Sequence, residues 1–201
     1  LKGRLMLHLD FTDFSLIEHL TLPDLAGCPR ASISETAAIV MSDFCEVTQC
    51  YREEIKLQGD GATMQFDLIP PQQDAIVIGI FSVKIGSKDY LPGDYDSHSP
   101  CTINFLEAPK EEVTIMVILK PRLNAKTAPE SILSRWADTI AKGVRYKLMG
   151  MPGKTWSDPQ LAGYYLQQFE RESLRISTDI RNQFSVVRTG RAKRNQSFFG
   201  I

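Results

Sequence analysis

The stretch Leu148-Met149-Gly150-Met151-Pro152-Gly153-Lys154-Thr155-Trp156-Ser157-Asp158-Pro159-Gln160-Leu161-Ala162 reads as a helix stop, a turn and a restart. Gly150 to Gly153 makes a poor helix interior, because glycine loses the most chain entropy and Pro152 has no backbone N–H. Ser157-Asp158-Pro159 is a start signal. Asp158 can accept the N–H groups that a first turn leaves unpaired, and a proline there gives up an N–H that has no partner anyway. Trp156 is predicted to pack the corner. Upstream, Ile132, Leu133, Trp136, Ile140, Val144 and Leu148 recur at steps of three and four, the stripe of a packed helix. That helix is predicted to begin at Glu130, with Thr127 as its cap. Downstream, Ala162, Tyr165, Leu166, Phe169, Ile176, Ile180 and Phe184 form one apolar face. The second helix is expected to run to about Gln183, roughly 40 Å. Residues 130–185 are therefore two long helices joined at a corner built from Trp136, Pro152, Gly153, Trp156, Asp158 and Pro159.

Ahead of these helices the pattern turns to β. Glu54 to Leu57 alternates and stops at Gly59-Asp60-Gly61, and Met64 to Ile69 alternates until Pro70-Pro71. Ala75 to Ile85 is β-branched and apolar enough for a central strand. Gly86-Ser87-Lys88 reads as a hairpin turn into Asp89 to Leu91. Pro92 to Pro100 reads as a polar loop. Thr102 to Leu106 and Val113 to Leu119 read as a closing hairpin with Pro109 and Lys110 in its turn. A small antiparallel sheet or sandwich is expected. Before it, a helix is predicted from about Ser32 to Arg52. Ser32 and Glu35 have the form of a capping box, and Ala37, Val40, Met41, Phe44, Cys45 and Val47 lie at helical spacing. Residues 12–29 carry few regular signals beyond Thr12 or Asp13 as a cap and breaks at Pro23, Gly27 and Pro29.

The predicted organisation is an N-terminal segment 1–31, a first helix 32–53, a β insert 54–120, the two long helices 130–185 and a tail 186–201. The fold class is α+β. One N-terminal helix and two long C-terminal helices form a three-helix bundle, an antiparallel β domain is inserted between them and projects from it, and an extended tail follows.

Length and composition agree with one full-sized domain or two small ones. In 201 residues, 43% are hydrophobic and 23% charged, the balance of an ordinary globular protein, which excludes collagen-like, mucin-like or wholly disordered chains. No apolar run approaches the roughly 18 residues needed to cross a bilayer, so no membrane anchor is expected. Lys2 and Arg4 precede Leu5, Met6 and Leu7, but His8 and Asp10 end that run too early for a signal peptide. The chain begins at Leu1, and an initiator Met or more is expected ahead of it.

Charge is uneven along the chain. Residues 1–129 hold 11 Lys/Arg against 18 Asp/Glu, and residues 130–201 hold 12 against 6. An acidic first part and a basic second part predict two surfaces with different neighbours, or copies that stack head to tail. The last sixteen residues, from Val186, contain Arg188, Arg191, Lys193 and Arg194, no acid, and the end Phe198-Phe199-Gly200-Ile201. This tail is expected to be disordered in the isolated subunit. Its charges could touch phosphates without reading sequence. The apolar end favours docking in a groove of a partner protein, with Phe198, Phe199 and Ile201 as anchors.

No catalytic constellation stands out. Cys28, Cys45, Cys50 and Cys101 follow no metal spacing. Cys45 and Cys50, five apart on the predicted helix, would lie about 140° from each other, so free thiols in a reducing compartment are expected. Asp94-Tyr95-Asp96-Ser97-His98 alternates oxygen ligands but has no bidentate Glu after it, and reads as a solvated loop rather than a cation site. Gly153-Lys154-Thr155 follows a helix instead of a strand and lacks the first glycine of a phosphate loop. No cofactor, no metal and no enzymatic activity are expected.

Two stretches carry a family resemblance. One is Ser131 to Asn182, centred on Leu148 to Ala162 and followed by Tyr165 and Phe169. The other is the helix ending Phe44-Cys45-Glu46-Val47-Thr48-Gln49-Cys50-Tyr51-Arg52-Glu53, with the sheet that follows being entered through Asp67-Leu68-Ile69-Pro70-Pro71. Over roughly residues 14–185 the chain resembles the head-to-tail adaptor (connector) proteins of tailed bacteriophages. The resemblance implies a structural virion protein in which helices frame a β domain. It implies a homo-oligomeric ring, typically of about twelve copies, beneath the portal protein and above a downstream tail or nozzle protein. Genome DNA would pass through its channel without sequence-specific contact. It also implies that the C-terminal tail, with Arg188, Arg191, Lys193, Arg194, Phe198, Phe199 and Ile201, reaches into the portal. The expected location is the head–tail junction of the virion, after assembly in the host cytoplasm. The alternatives are a tail-completion or stopper protein, and a β-domain receptor- or glycan-binding tail component. The latter would expose aromatics on the sheet loops, where Tyr90 and Tyr95 are the candidates.

Overall fold

A computed structural model describes residues 10–185. In chain order the elements are β1 (Phe11–Asp13), α1 (Ser15–Thr21), a 3-10 turn (Leu22–Asp24), α2 (Arg30–Thr48), β2 (Arg52–Gln58), β3 (Gln65–Asp67), β4 (Ala75–Ile85), β5 (Lys88–Tyr90), β6 (Tyr95–Asp96), β7 (Thr102–Phe105), β8 (Glu112–Pro121), β9 (Thr127–Pro129), α3 (Glu130–Met149) and α4 (Pro159–Ser185). The fold is α+β, with four helices and antiparallel sheets among the described residues. The strands form three sheets, ordered β1-β9, β2-β8-β4-β5 and β3-β7-β6.

The helices α3 and α4 form an antiparallel hairpin. Lys142 Nζ meets Glu172 Oε1 at 2.8 Å near its middle. Thr139 donates its hydroxyl proton to the other oxygen of Glu172 at 2.9 Å. Gly143 lets three helices converge: a Cβ there would stand 2.5 Å from Val40 of α2 and 3.0 Å from the Phe169 ring of α4. The predicted stripes are buried in the main; Trp136, Tyr165 and Leu166 are half-buried, and the Phe184 side chain lies outside the described residues. Ile132, Leu133, Ile140, Val144 and Leu148 are buried on α3, and Ala162, Phe169, Ile176 and Ile180 on α4.

The central strand is β8, with β2 along one edge and β4 along the other. Its alternating Val113, Ile115, Val117 and Leu119 point into the core, and α2 lies on the same strand. Two bulges, at Val77/Gly79 and Ile80/Ser82, interrupt the β4–β8 register and sharpen the local twist. One continuous apolar cluster runs from Phe14 and Ile17 through α2 and the sheet to Ile176 and Ile180. The sheet therefore does not project from the helices as expected. It shares their core, because β8 is too apolar on its α2 side to stand in water.

Several local expectations are corrected. The first helix starts at Arg30 rather than Ser32, and no Ser32–Glu35 capping box forms. Pro29, at φ −63 and ψ 136, already sets the extended conformation of a cap residue, and its carbonyl accepts the Ser32 and Ile33 N–H groups. The helix ends at Thr48, where Gln49 takes a left-handed conformation at φ 54. Thr127 does not cap α3. It pairs in β9 with β1, and the Glu130 N–H instead donates to the Asp10 carbonyl at 2.8 Å. The segment 12–29 holds β1, α1 and a 3-10 turn, and the loop 92–100 holds β6.

The predicted closing hairpin is absent. Thr102–Phe105 pairs with β3 and β6, and Glu112–Pro121 belongs to the other sheet. Both edges of β8 are already taken, so β7 cannot reach it. The intervening chain instead docks on the Gly59–Gly61 turn. Gly59 N donates to Glu111 O at 3.2 Å, and Gly61 N donates to Pro109 O at 2.8 Å.

Candidate functional site

The corner between α3 and α4 is built much as its residues require. Asp158 Oδ1 accepts the Gln160 and Leu161 N–H groups at 3.1 and 3.0 Å, so it caps α4. Pro159 is the first residue of that helix. Gly153 has φ +73, a conformation that favours glycine, and Pro152 precedes it. The Asp158 N–H donates back to Met149 O at 3.0 Å and closes the loop. Trp156 is half-buried against the core, with Lys154 Nζ 5.8 Å from its ring centre. The corner is also braced from outside. Gly27, at φ +84, sits so close that a Cβ would be 3.2 Å from Thr155 Oγ1.

Trp136 does not belong to this corner. It lies thirteen residues before the end of α3, about 20 Å along the helix axis. Its backbone leaves helical geometry at φ −125 and ψ 24, kinking α3. Its ring packs against Phe44 of α2 with centroids 5.7 Å apart, and Phe44 in turn lies 6.5 Å from Phe169. The kink arises where α3 must bend a large indole onto α2. The tail residues Arg188, Arg191, Lys193, Arg194, Phe198, Phe199 and Ile201 lie outside the described residues.

Electrostatics tie the helices together at positions that sequence reading passed over. Arg145 Nε pairs with Asp24 Oδ2 at 2.7 Å, its guanidinium also donates to the Leu20 carbonyl, and it lies 5.3 Å from the Tyr165 ring centre. Lys147 pairs with Asp43 at 3.0 Å and Lys120 with Glu46 at 2.6 Å. Burial works against the Lys142 charge, but hydrogen bonds and charges from Asp138 and Glu172 outweigh it and hold its pKa above the usual lysine value. Apart from Asp138, four residues before Lys142 on α3, these partners come from different elements, so no local spacing announces them.

Among the described residues no group of His, Cys, Asp and Glu is placed to hold a metal ion. The carboxylates of the 94–98 loop serve their own backbone: Asp94 accepts the Leu91 N–H at 2.9 Å and Asp96 the Ser97 N–H at 2.7 Å. The two loop tyrosines turn inward. Tyr90 and Tyr95 pack on Phe105 at 6.4 and 6.5 Å between ring centres, and Phe66 joins them at 6.0 Å, so this aromatic cluster bridges two sheets. A cleft of about 590 Å³ lies between α1, α2 and the β8–β9 connection, lined by Asp13, Glu18, Glu35, Ile39, Leu123 and Lys126 among others.

The outward face of α4 carries exposed apolar side chains. Leu161, Tyr164 and Leu174 are 45%, 55% and 62% exposed, and Arg171 and Arg175 stand among them. Leu16 and Leu20 of α1 are also exposed. Tyr164 meets Tyr165 edge-on at 5.5 Å between ring centres, and the Arg145 guanidinium lies 5.3 Å from the Tyr165 ring. No helix of the described residues is long and apolar enough to cross a membrane. Comparison with known proteins finds no family model that matches the chain and no curated protein similar to it.

Proposed function

We propose that this chain is a structural subunit of a bacteriophage head-to-tail adaptor, a homo-oligomeric ring between the portal and the tail through which genome DNA passes. The observation that carries the reading is the α3–corner–α4 hairpin, whose outer face bears Leu161, Tyr164 and Leu174 interleaved with Arg171 and Arg175. Large side chains exposed along a long helix are expected where copies of one subunit meet side by side. A ring requires a heterologous interface that closes. Arg171 and Arg175 of α4 and exposed carboxylates of a neighbouring copy are suited to meet across it.

In this reading α2, α3 and α4 are the three-helix bundle that frames the β part. The ring has about twelve copies and sits at the head–tail junction of the virion. The tail from Val186 docks on the portal, with Arg188, Arg191, Lys193 and Arg194 steering the approach and Phe198, Phe199 and Ile201 as anchors. The ring's other face meets the downstream tail or nozzle protein. Mass determination tests the assembly directly. Purified subunits are expected to be monomeric or weakly associated, and to form a ring of defined copy number when portal is added. A tight, portal-independent dimer overturns the reading.

A further inference from the structure

Cys45 and Cys50 are not the separated helical pair that their spacing suggests. Because α2 ends at Thr48 and Gln49 turns left-handed, the chain doubles back, and the two Sγ atoms lie 4.0 Å apart, within reach of an S–H···S hydrogen bond. A disulfide needs about 2.05 Å, so closing it requires the two sulfurs to approach from 4.0 Å. Cys45 is fully buried and Cys50 is half-buried, so Cys50 is the less shielded member of the pair. Arg52 folds back over the same turn, its Nε donating to Gln49 O at 2.8 Å.

We propose that Cys45 and Cys50 form a reversible redox site that takes small-molecule disulfides, with Cys50 as the attacking sulfur and Cys45 as the resolving one. In the first step the Cys50 thiolate attacks one sulfur of the small disulfide, whose S–S bond breaks, and one small thiolate leaves. In the second step Cys45 gives up its proton and attacks Cys50 Sγ, releasing the second small thiolate. Two protein thiols are oxidised by two electrons, and the small disulfide is reduced to two thiols that take up the two protons. The division of labour follows from the surroundings. At Cys50 the hydrogen bond with Cys45, helped by Thr48 and the Arg52 charge, outweighs burial and lowers the pKa below the ordinary cysteine value, while burial pushes Cys45 well above it. The thiolate form is the nucleophile, and the less buried member of the pair is the one whose thiolate is favoured. Closing the bond ties the last turn of α2 to the residues leading into β2, where the helical layer joins the sheet.

Cys28, buried, and Cys101, exposed, serve as internal controls. The full chain is equilibrated with reduced and oxidised glutathione at decreasing thiol-to-disulfide ratios, quenched in acid, alkylated and mapped by mass spectrometry. The expected product has lost two hydrogens and yields a peptide cross-linked between Cys45 and Cys50, while Cys101 takes a glutathione adduct only. In Cys45→Ser, the glutathione adduct on Cys50 is expected to persist, because nothing resolves it. Cys45 is a core residue, so the wild-type map decides the matter even if that variant fails to fold. The oxidised wild type is also expected to unfold at a higher temperature than the reduced one. Recovery of both Cys45 and Cys50 as alkylated thiols under conditions that modify Cys101 overturns the proposal. So does a link from Cys50 to any cysteine other than Cys45.

Discussion

The α3–α4 hairpin and the β2-β8-β4-β5 sheet bury similar apolar side chains but specify their partners in different ways. In the hairpin the two halves are joined by the short corner Gly150 to Asp158, and every contact across it is set once that corner turns. In the sheet, β8 pairs with β2, so that Arg52 faces Ile118 and Gln58 faces Glu112. Between those two partners the chain makes β3, β6 and β7, which form a separate sheet, and β4 and β5, which join this one. Contacts close in sequence cost little loop entropy, and contacts far apart cost more. A local element can therefore be read from its own residues, whereas a central strand is defined by which neighbours reach it first.

The comparison breaks most severely where the two regions join. Phe44 is fully buried on α2, stacked between Trp136 and Phe169, on a helix that also lies on β8. Phe44→Ala is expected to cost about 3–5 kcal/mol. Urea unfolding should remain a single transition by tryptophan fluorescence and by circular dichroism, since both regions share one core. Two separated transitions in the wild type would show instead that hairpin and sheet are independent units.

Gly59 tests the sheet side. A Cβ there would lie 2.5 Å from the carbonyl oxygens of both Pro109 and Glu111, which are backbone atoms that cannot swing away. Gly59→Ala is expected to destabilise by about 1–3 kcal/mol. A loss below a few tenths would mean that the crossover from β7 to β8 is not held on this turn. Chemical denaturation measures it.

Asp158 tests the hairpin side more gently. Asp158→Ala removes the acceptor for two N–H groups at the start of α4 and is expected to cost about 1 kcal/mol. Asp158→Asn, which keeps an acceptor oxygen, should recover most of that loss. Equal losses in the two variants would assign the effect to charge rather than capping.

The smallest effect is confined to acid. Asp60 accepts the Ala62 and Thr63 N–H groups at 2.8 and 2.7 Å, and the Thr63 hydroxyl also donates to it. The Thr63 and Ala62 backbone bonds lower its pKa from 3.8 to about 2. The unfolded chain then binds the proton more readily than the folded one. The contribution is present above the unfolded value and is lost as pH falls from near 4 toward about 2. Asp60→Asn should flatten that part of the stability-against-pH curve and leave the neutral region nearly unchanged. An unaltered acid limb would place the titrating group elsewhere.

Legibility follows the same division. The start of α3 at Glu130, the restart at Asp158-Pro159 and the span Ala75 to Ile85 are all where their residues indicate. Each depends on interactions within a few residues: a cap, a stripe, a run of β-branched side chains. The Ser32–Glu35 box failed because Pro29, three residues earlier, had already set the helix start. The Thr102–Leu106 and Val113–Leu119 hairpin failed because adjacency in sequence is no guide once another strand holds the edge. Trp136, expected at the corner, packs a helix away on Phe44. The bonds of Arg145 to Asp24 and of Lys147 to Asp43 cross between elements and leave no local trace.

The amino-acid sequence by itself determined the class α+β, the two long helices and the corner that joins them, because propensity, capping and apolar period act over one or two turns. Tertiary structure alone decided that α2 lies on β8, that β7 leaves the main sheet, and that Gly143 is where three helices meet. It also decided that Cys45 and Cys50 face each other. The reason is geometric: five residues along an unbroken helix would hold the two thiols apart, and only the left-handed turn at Gln49, set where α2 gives way to the sheet, brings them together.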